Sequence, residues 1–294
     1  MRFLLGRAAI TLALCACLAL TLPLPVRAQE FRVVYEVQSR YQFITVLDTA
    51  DGYRQLVFDG RLDGSDAVQS EMNLSDPNAL ALPYSRHMMT ALPAAKKLAR
   101  ILIVGLGGAC MQRYLYNLLP ETTIETVEID PEIRYVAAEY FGLKEGERQI
   151  VHLADGAAFM AESTEKYDIV FLDAFSATSI PGPLKTAEFF AAVKERLAEG
   201  GVVCANLWHW ASDYSETVKT YEDVFPEHYV VRCGSISGNS ILLALPAKEN
   251  LTFKGWIEKA AAFERAHPTG LDLPGMIERG KMRNGGSSNE EIPF

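Results

Sequence analysis

The sequence predicts an α/β fold in which a mostly parallel sheet is covered by helices on both faces, preceded by a small antiparallel β-domain. Three observations predict it. From Arg100 onward, apolar runs of strand length alternate with runs of helix length, and that alternation requires parallel strands joined by helical crossovers. The first such strand, Ile101-Leu-Ile-Val104, enters the glycine turn Gly105-Leu-Gly-Gly108, and the next, within Thr126-Val-Glu-Ile-Asp-Pro131, ends in the carboxylate of Glu128, about 20 residues past the turn as in a nucleotide-binding βαβ unit. Only Gly234 to Ser240 separates the last two apolar runs, too few residues for a helical crossover, so that pair is expected to be antiparallel.

Taken in order, residues 1–28 read as a secretory signal. Arg2 and Arg7 give a basic start, Ala8 to Leu22 an apolar run, and Val26-Arg27-Ala28 a small-residue cleavage site before Gln29. The expectation is an exported protein, periplasmic or secreted. An uncleaved membrane anchor and a lipoprotein signal at Leu14-Cys-Ala-Cys17 are the alternatives, and contact with a membrane would be confined to this segment.

Residues 29–76 are expected to form the β-domain. Runs at Phe31–Val37, Tyr41–Leu47 and Tyr53–Phe58 are punctuated by Asp51-Gly52, Asp59-Gly60 and Asp63-Gly64. Residues 77–250 hold the larger domain, beginning with a helical stretch at Tyr84–Leu92. Strands are expected at Arg100–Val104, Thr123–Glu128, Gln149–Leu153, Tyr167–Leu172, Val202–Leu207, Tyr229–Cys233 and Ile241–Leu245. Helices are expected at Cys110–Leu118, Pro131–Phe141, Gly156–Glu162, Ala187–Ala198 and Ser215–Val224. The antiparallel ending is typical of the methyltransferase-type variant of the Rossmann-like fold. Residues 251–294 supply a surface helix at Lys254–Ala266 and a loose tail around Gly285–Asn289.

Removing 28 of 294 residues leaves enough chain for one large domain with a smaller appendage. The leader carries three Arg and no acid, so the formal charge of −9 becomes −12 in the mature chain. Such a surface repels nucleic acid and attracts cations, although acidity also serves solubility alone. Cys110, Cys204 and Cys233 remain. They allow one internal bridge at most, or three buried thiols, and match no metal spacing. His87, His152, His209 and His228 are too scattered for a metal site, so no metal is expected.

The turn Gly105, Gly107, Gly108 lacks the third glycine of a dinucleotide fingerprint and any Lys-Ser/Thr pair for a triphosphate. A sulfonium nucleoside, S-adenosylmethionine or its decarboxylated form, fits better, with Glu128 accepting from the ribose diol. A purely structural tight turn is the alternative, and the carboxylate at the right distance weighs against it.

From about Ser39 to Leu245 the chain resembles the spermidine/spermine synthase (polyamine aminopropyltransferase) family, in particular its divergent bacterial spermidine synthase-like branch. The resemblance rests on Ser39-Arg-Tyr-Gln42, Gln69-Ser-Glu-Met72, Tyr84, the glycine turn, Val127-Glu-Ile-Asp130, Asp155-Gly156 and Tyr167-Asp-Ile-Val-Phe-Leu-Asp173. It implies that Gln42 closes over the donor, Glu128 binds ribose and Asp155 accepts from the adenine amino group. It also implies that Asp173 is the catalytic carboxylate, binding a cationic amine and taking its proton. Tyr84 and Ser176 would contact this small-molecule substrate. The donor would be a co-substrate, and a homodimer is left open. The alternative for Asp173 is a carboxylate that caps the Ser176 loop or pairs with an Arg, and, read without the resemblance, Asp155 could equally be a turn residue.

The departures bear on specificity. The family's turn carries an Asp that favours the decarboxylated donor, and Gly108 stands in its place. Ser176 stands where a second acid follows the catalytic Asp, and Ser85 and Arg86 follow the helix Tyr, so the resemblance does not carry putrescine specificity. Trp208, His209 and Trp210 follow the fifth strand of the larger domain and either wall a substrate cleft or merely pack at a strand end. Three functions follow in order: aminopropyl transfer to an amine, methyl transfer from S-adenosylmethionine, and non-catalytic binding of a nucleoside or polyamine outside the cytoplasm.

Overall fold

The computed structural model describes residues 31–59, 68–175, 179–234 and 238–281. The leader at 1–28, the tail at Gly285–Asn289, Gly60, Asp63-Gly64 and Ser176 lie outside the described residues.

The first sheet is antiparallel throughout and follows chain order: β1 (Phe31–Gln38), β2 (Phe43–Thr49), β3 (Tyr53–Phe58) and β4 (Val68–Asn73). β2 starts later than Tyr41 because Ser39 ties residues 39–42 into a turn, its hydroxyl accepting from Tyr41 N at 3.0 Å and Gln42 N at 3.1 Å. β4 has no clear apolar alternation of its own and is held as a strand by its ladder with β3.

The second sheet contains β5 (Arg100–Val104), β6 (Thr123–Glu128), β7 (Gln149–Leu153), β8 (Tyr167–Leu172), β9 (Leu197–Trp208), β10 (Glu227–Arg232) and β11 (Asn239–Leu245). Their order is β10-β11-β9-β8-β5-β6-β7. Only β11 runs against its neighbours, pairing antiparallel with both β9 and β10. The expected fold class is therefore the observed one. Around this sheet lie α1 (Pro83–Met88), α2 (Cys110–Leu118), α3 (Pro131–Phe141), α4 (Gly156–Glu162), α5 (Ala187–Glu195), α6 (Tyr214–Val224), α7 (Phe253–Ala266) and α8 (Leu273–Gly280).

Two expected boundaries and one expected burial are corrected. The helix expected to Leu92 ends at Met88 and tightens into a 3-10 turn over Met89–Ala94 that contains Pro93, whose ring nitrogen has no hydrogen to donate to a helix ladder. The helix expected to Ala198 ends at Glu195, because Leu197 is already paired with Tyr167 on β8. The C-terminal helix is not a surface element: Trp256 and Ala260 of α7 are fully buried, and Trp256 Nε1 donates to Thr90 O at 2.8 Å. α8 is an addition to the expected elements; Asp272 caps it through Gly275 N at 2.9 Å.

Alternation on β5 feeds two cores. Ile101 and Ile103 pack with Met88, Leu92, Leu115 and Trp256 on one face, and Leu102 and Val104 with Tyr167, Phe190 and Tyr221 on the other. A third cluster joins the domains, with Ile44, Leu56 and Met72 of the small sheet against Leu106, Val136 and Phe141. Ser39 fastens the same seam. Its hydroxyl donates to Asp130 Oδ2 at 2.5 Å, while Asp130 Oδ1 caps α3 by accepting from Glu132 N at 3.0 Å.

Ser39→Ala should therefore destabilise the protein by about 1–3 kcal/mol, the cost of leaving a buried acceptor without its partner. Chemical denaturation checks this. A loss below about 0.5 kcal/mol would mean that apolar contacts alone hold the seam.

Candidate active site

The sheet order places β5 between β6 and β8, so the crossovers on its two sides leave in opposite directions and a crevice opens at the carboxyl ends of the strands. A cavity of about 790 Å³ lies there, roofed by β4 and residues 41–42 of the small domain. That volume suits a ligand of nucleoside size together with a small second molecule.

Gly105 makes the crevice possible. Its φ of +102° lies in the left-handed region, and a Cβ there would stand 2.3 Å from Asp173 O, so only glycine allows β5 to pass under the end of β8. The approach is locked on both sides, with Gly105 N donating to Val127 O and Asp173 N to Val104 O, each at 2.9 Å. These two bonds bring the ends of β6 and β8, and hence Glu128 and Asp173, to one cavity.

Glu128 is pinned before any ligand arrives. Its Oε2 accepts from Leu106 N at 3.1 Å and its Oε1 from Asp130 N at 2.8 Å. Burial nonetheless pushes its carboxyl up to about 7 against these hydrogen bonds. Asp155 is exposed at the rim, where its Oδ1 caps α4 by accepting from Ala157 N at 2.9 Å and Ala158 N at 3.0 Å. Gly156 begins that helix beside it, and a Cβ there would stand 2.9 Å from Val104 Cγ1. Gln42, Gly105 and Gly107 also line the cavity.

Asp173 accepts from Asn206 Nδ2 at 2.9 Å, and Asn239 Nδ2 in turn donates to Asn206 Oδ1 at 2.9 Å. Burial pushes the Asp173 carboxyl up to about 7, opposed by the Asn206 and Tyr84 hydrogen bonds. The partner of Asp173 is thus a pair of neutral groups rather than the Arg of the structural alternative. The Tyr84 hydroxyl from α1 lies between Asp173 and Gln69 O, the latter at 3.2 Å, with one proton to give to either, and burial first, then Asp173, holds its phenol well above the usual range.

Gly108 stands apart from the other expected site residues. It is not part of the cavity lining; its N–H donates to Ser70 Oγ at 2.8 Å, and a Cβ would meet Phe141 Cδ1 at 2.8 Å and Ser70 Cβ at 2.9 Å. The glycine lets β4 pack on the turn, where a side chain would meet Phe141 and Ser70. Ser176 lies outside the described residues.

Two residues at the site have no counterpart among the expected ones, Asn206 and Asn239. Asn206 carried a signal: an amide within the otherwise apolar Val202-Val-Cys-Ala-Asn-Leu207 needs a partner once buried. The three thiols are free; Cys110 lines the cavity and donates to Glu71 O at 3.4 Å. Among the described residues no group of His, Cys, Asp or Glu is placed to hold a metal.

The charge of the lining is one-sided. It includes Glu71, Glu128, Asp130, Asp155 and Asp173 and, among the described residues, no Lys, Arg or His. Such a cavity attracts a cation, and burial of Glu128 and Asp173 makes them sensitive to one.

Residues 83–253 match the spermine/spermidine synthase domain family. A polyamine aminopropyltransferase of Vibrio vulnificus (strain CMCP6) is 32% identical over 224 residues, 75% of this chain and 74% of that protein. A probable spermidine synthase from Corynebacterium glutamicum ATCC 13032 shares the fold with a TM-score of 0.64 at 19% identity, over 89% of this chain and 100% of that one. Human methyltransferase-like protein 13, solved in complex with SAH, gives a TM-score of 0.58 at 28% identity, over 63% of this chain and 92% of that one.

The raised carboxyls make a pH signature. With native values near 7 against ordinary values of 3.8 for Asp and 4.5 for Glu, the folded protein holds more protons than the unfolded chain in between. The contribution of these groups to stability therefore falls as pH rises from about 4 to about 7. Asp173→Asn should flatten that fall in ligand-free protein, measured as Tm against pH. Parallel curves for the two proteins would mean that Asp173 titrates as an ordinary carboxylate.

Proposed function

This chain belongs to the spermine/spermidine synthase family, and on that premise we propose that it moves an aminopropyl group from a decarboxylated S-adenosylmethionine-type donor to an amine. The observation that carries the reading is the cavity with five acidic residues and no basic side chain among its described lining. A decarboxylated donor carries a sulfonium and an ammonium and no carboxylate, so every charge it brings meets an opposite one.

In this reading Glu128 accepts from the ribose diol with the lone pairs that Leu106 N and Asp130 N leave free. Asp155 keeps Oδ1 on the α4 cap and offers Oδ2 to the adenine amino group, and Gln42 closes over the donor from the small domain. The glycine turn admits the nucleoside at Gly105 and Gly107. Asp173 binds the acceptor ammonium and, near its raised pKa, takes the proton that frees the amine lone pair. The amine then attacks the carbon beside the sulfonium. A C–N bond forms as the C–S bond breaks, the electron pair returns to sulfur, and the thioether nucleoside leaves. Holding the two reactants in line accounts for much of the rate, since no group on the protein bonds to either.

Methyl transfer from S-adenosylmethionine is the second reading, favoured by the likeness to methyltransferase-like protein 13 and by the absence of an acid at Gly108. Against it stands the lining, which among the described residues gives the donor's carboxylate no basic side chain to pair with. We further propose, from residues 1–28 alone, that the protein works outside the cytoplasm. Its donor would then have to be supplied there, and a protein without that supply would bind rather than transform.

Asp173→Asn tests the reading. The amide is nearly isosteric, so donor affinity should hold while turnover with amines falls by about 10²–10⁴-fold at every pH, the usual worth of a general base. Full turnover in a stable variant would remove this mechanism. Glu128→Ala should weaken donor binding by at least about 1.5–3 kcal/mol, the worth of one charge-assisted hydrogen bond, in titration calorimetry. Unchanged affinity would move the ribose elsewhere.

A further inference from the structure

We propose, resting on the transferase reading above, that the acceptor is an amine with a single positive charge and an apolar tail, the tail lying against Trp208. The register of β8 and β9 sets the geometry. Leu172 is level with Ala205, so Asn206 is level with Asp173, to which its amide donates. Trp208 follows two residues later on the same face, about 6.6 Å further along the strand, and lines the same cavity. An amine whose nitrogen sits at Asp173 extends past this ring.

The ring is held in place. Trp210 packs edge-on against it with centroids 5.2 Å apart at 90°. Gly238, whose carbonyl accepts from His209 N at 2.8 Å, lies so close that a Cβ would stand 2.5 Å from two atoms of the Trp208 indole. A glycine pressed against one indole and braced by a second describes a built wall rather than a side chain left at a strand end.

Among the described lining residues, those from β8, β9, β11 and the loops beside them carry one charge, Asp173. Glu128, Asp130 and Asp155 follow β6 and β7, on the far side of β5. Glu71 reaches the lining from β4 in the roof rather than from β8 or β9, and its Oε2 accepts from Gln55 Nε2 at 2.7 Å. The sequence holds no Asp or Glu from 174 to 187, after β8, or from 233 to 248, around the β10–β11 connection. One carboxylate serves one ammonium. A second ammonium on the acceptor would be desolvated against an indole with no anion beside it, which costs more than a cation–π contact returns. A hydrocarbon or aromatic tail gains from the same burial.

The test uses the full chain with decarboxylated S-adenosylmethionine and compares kcat/KM for putrescine, butylamine, hexylamine and phenethylamine. The expected result is at least about tenfold higher kcat/KM for hexylamine and phenethylamine than for putrescine, the discrimination a single apolar contact can supply. Trp208→Ala should erase that advantage while donor affinity by calorimetry is retained, and Trp208→Phe, which keeps an aromatic face, should preserve most of it. Higher kcat/KM for putrescine than for every monoamine would overturn this acceptor class and leave the transferase reading standing, as would a ranking that Trp208→Ala does not change. Transfer to no amine at all would overturn both.

Discussion

The site depends on one close approach, that of β5 to the end of β8 at Gly105. Parallel pairing brings Asp173 N onto Val104 O, and the missing Cβ at Gly105 lets the turn pass beneath the Asp173 carbonyl. The same residue donates to Val127 O and so fixes the end of β6. Two carboxylates from strands on opposite sides of β5 are thereby held at one cavity by backbone geometry alone. Side chains on a regular sheet are placed more exactly than side chains on loops, which is what in-line transfer between two bound molecules requires.

The small domain roofs that crevice. Ser39 on Asp130, Ser70 on Gly108 and Gln69 under Tyr84 are three hydrogen-bonded points where the antiparallel sheet meets the larger domain, with the Leu56, Met72 and Phe141 cluster between them. The roof shields the half-buried Glu128 and Asp173 in part from water, and burial is the largest cause of both raised carboxyls. A cation entering the cavity reverses that cost, because it restores to the carboxylates the opposite charge that water would have screened. Stability is thus spent at the ligand-free site, and ligand charge recovers it.

Much of this was legible in the sequence, for reasons that can be named. Strands such as Ile101–Val104 and Tyr167–Leu172 are buried on both faces and read as unbroken apolar runs. The cavity-lining position of Glu128 is legible because a strand end after a glycine turn is a local pattern. What escaped depends on contacts between distant residues. Gly108 reads as part of a ligand turn, yet a side chain there would meet Phe141 and Ser70, residues distant in the sequence. β4 is a strand because of its partner rather than its own pattern, and α7 is buried because Thr90 lies beneath Trp256. Asn206 and Asn239 orient Asp173 from a different strand pair, a relation no spacing along the chain encodes.

The acid missing from Gly108 and the acids present in the cavity pull the donor choice in opposite directions. The cavity decides, since five acidic residues without a basic partner among the described lining outweigh one absent charge. Titration calorimetry of the protein with decarboxylated S-adenosylmethionine and with S-adenosylmethionine measures this directly. The account predicts tighter binding of the decarboxylated form by about tenfold or more, the effect of about 1.4 kcal/mol of charge complementarity. Equal or tighter binding of the carboxylated form, or no binding of either, would contradict it.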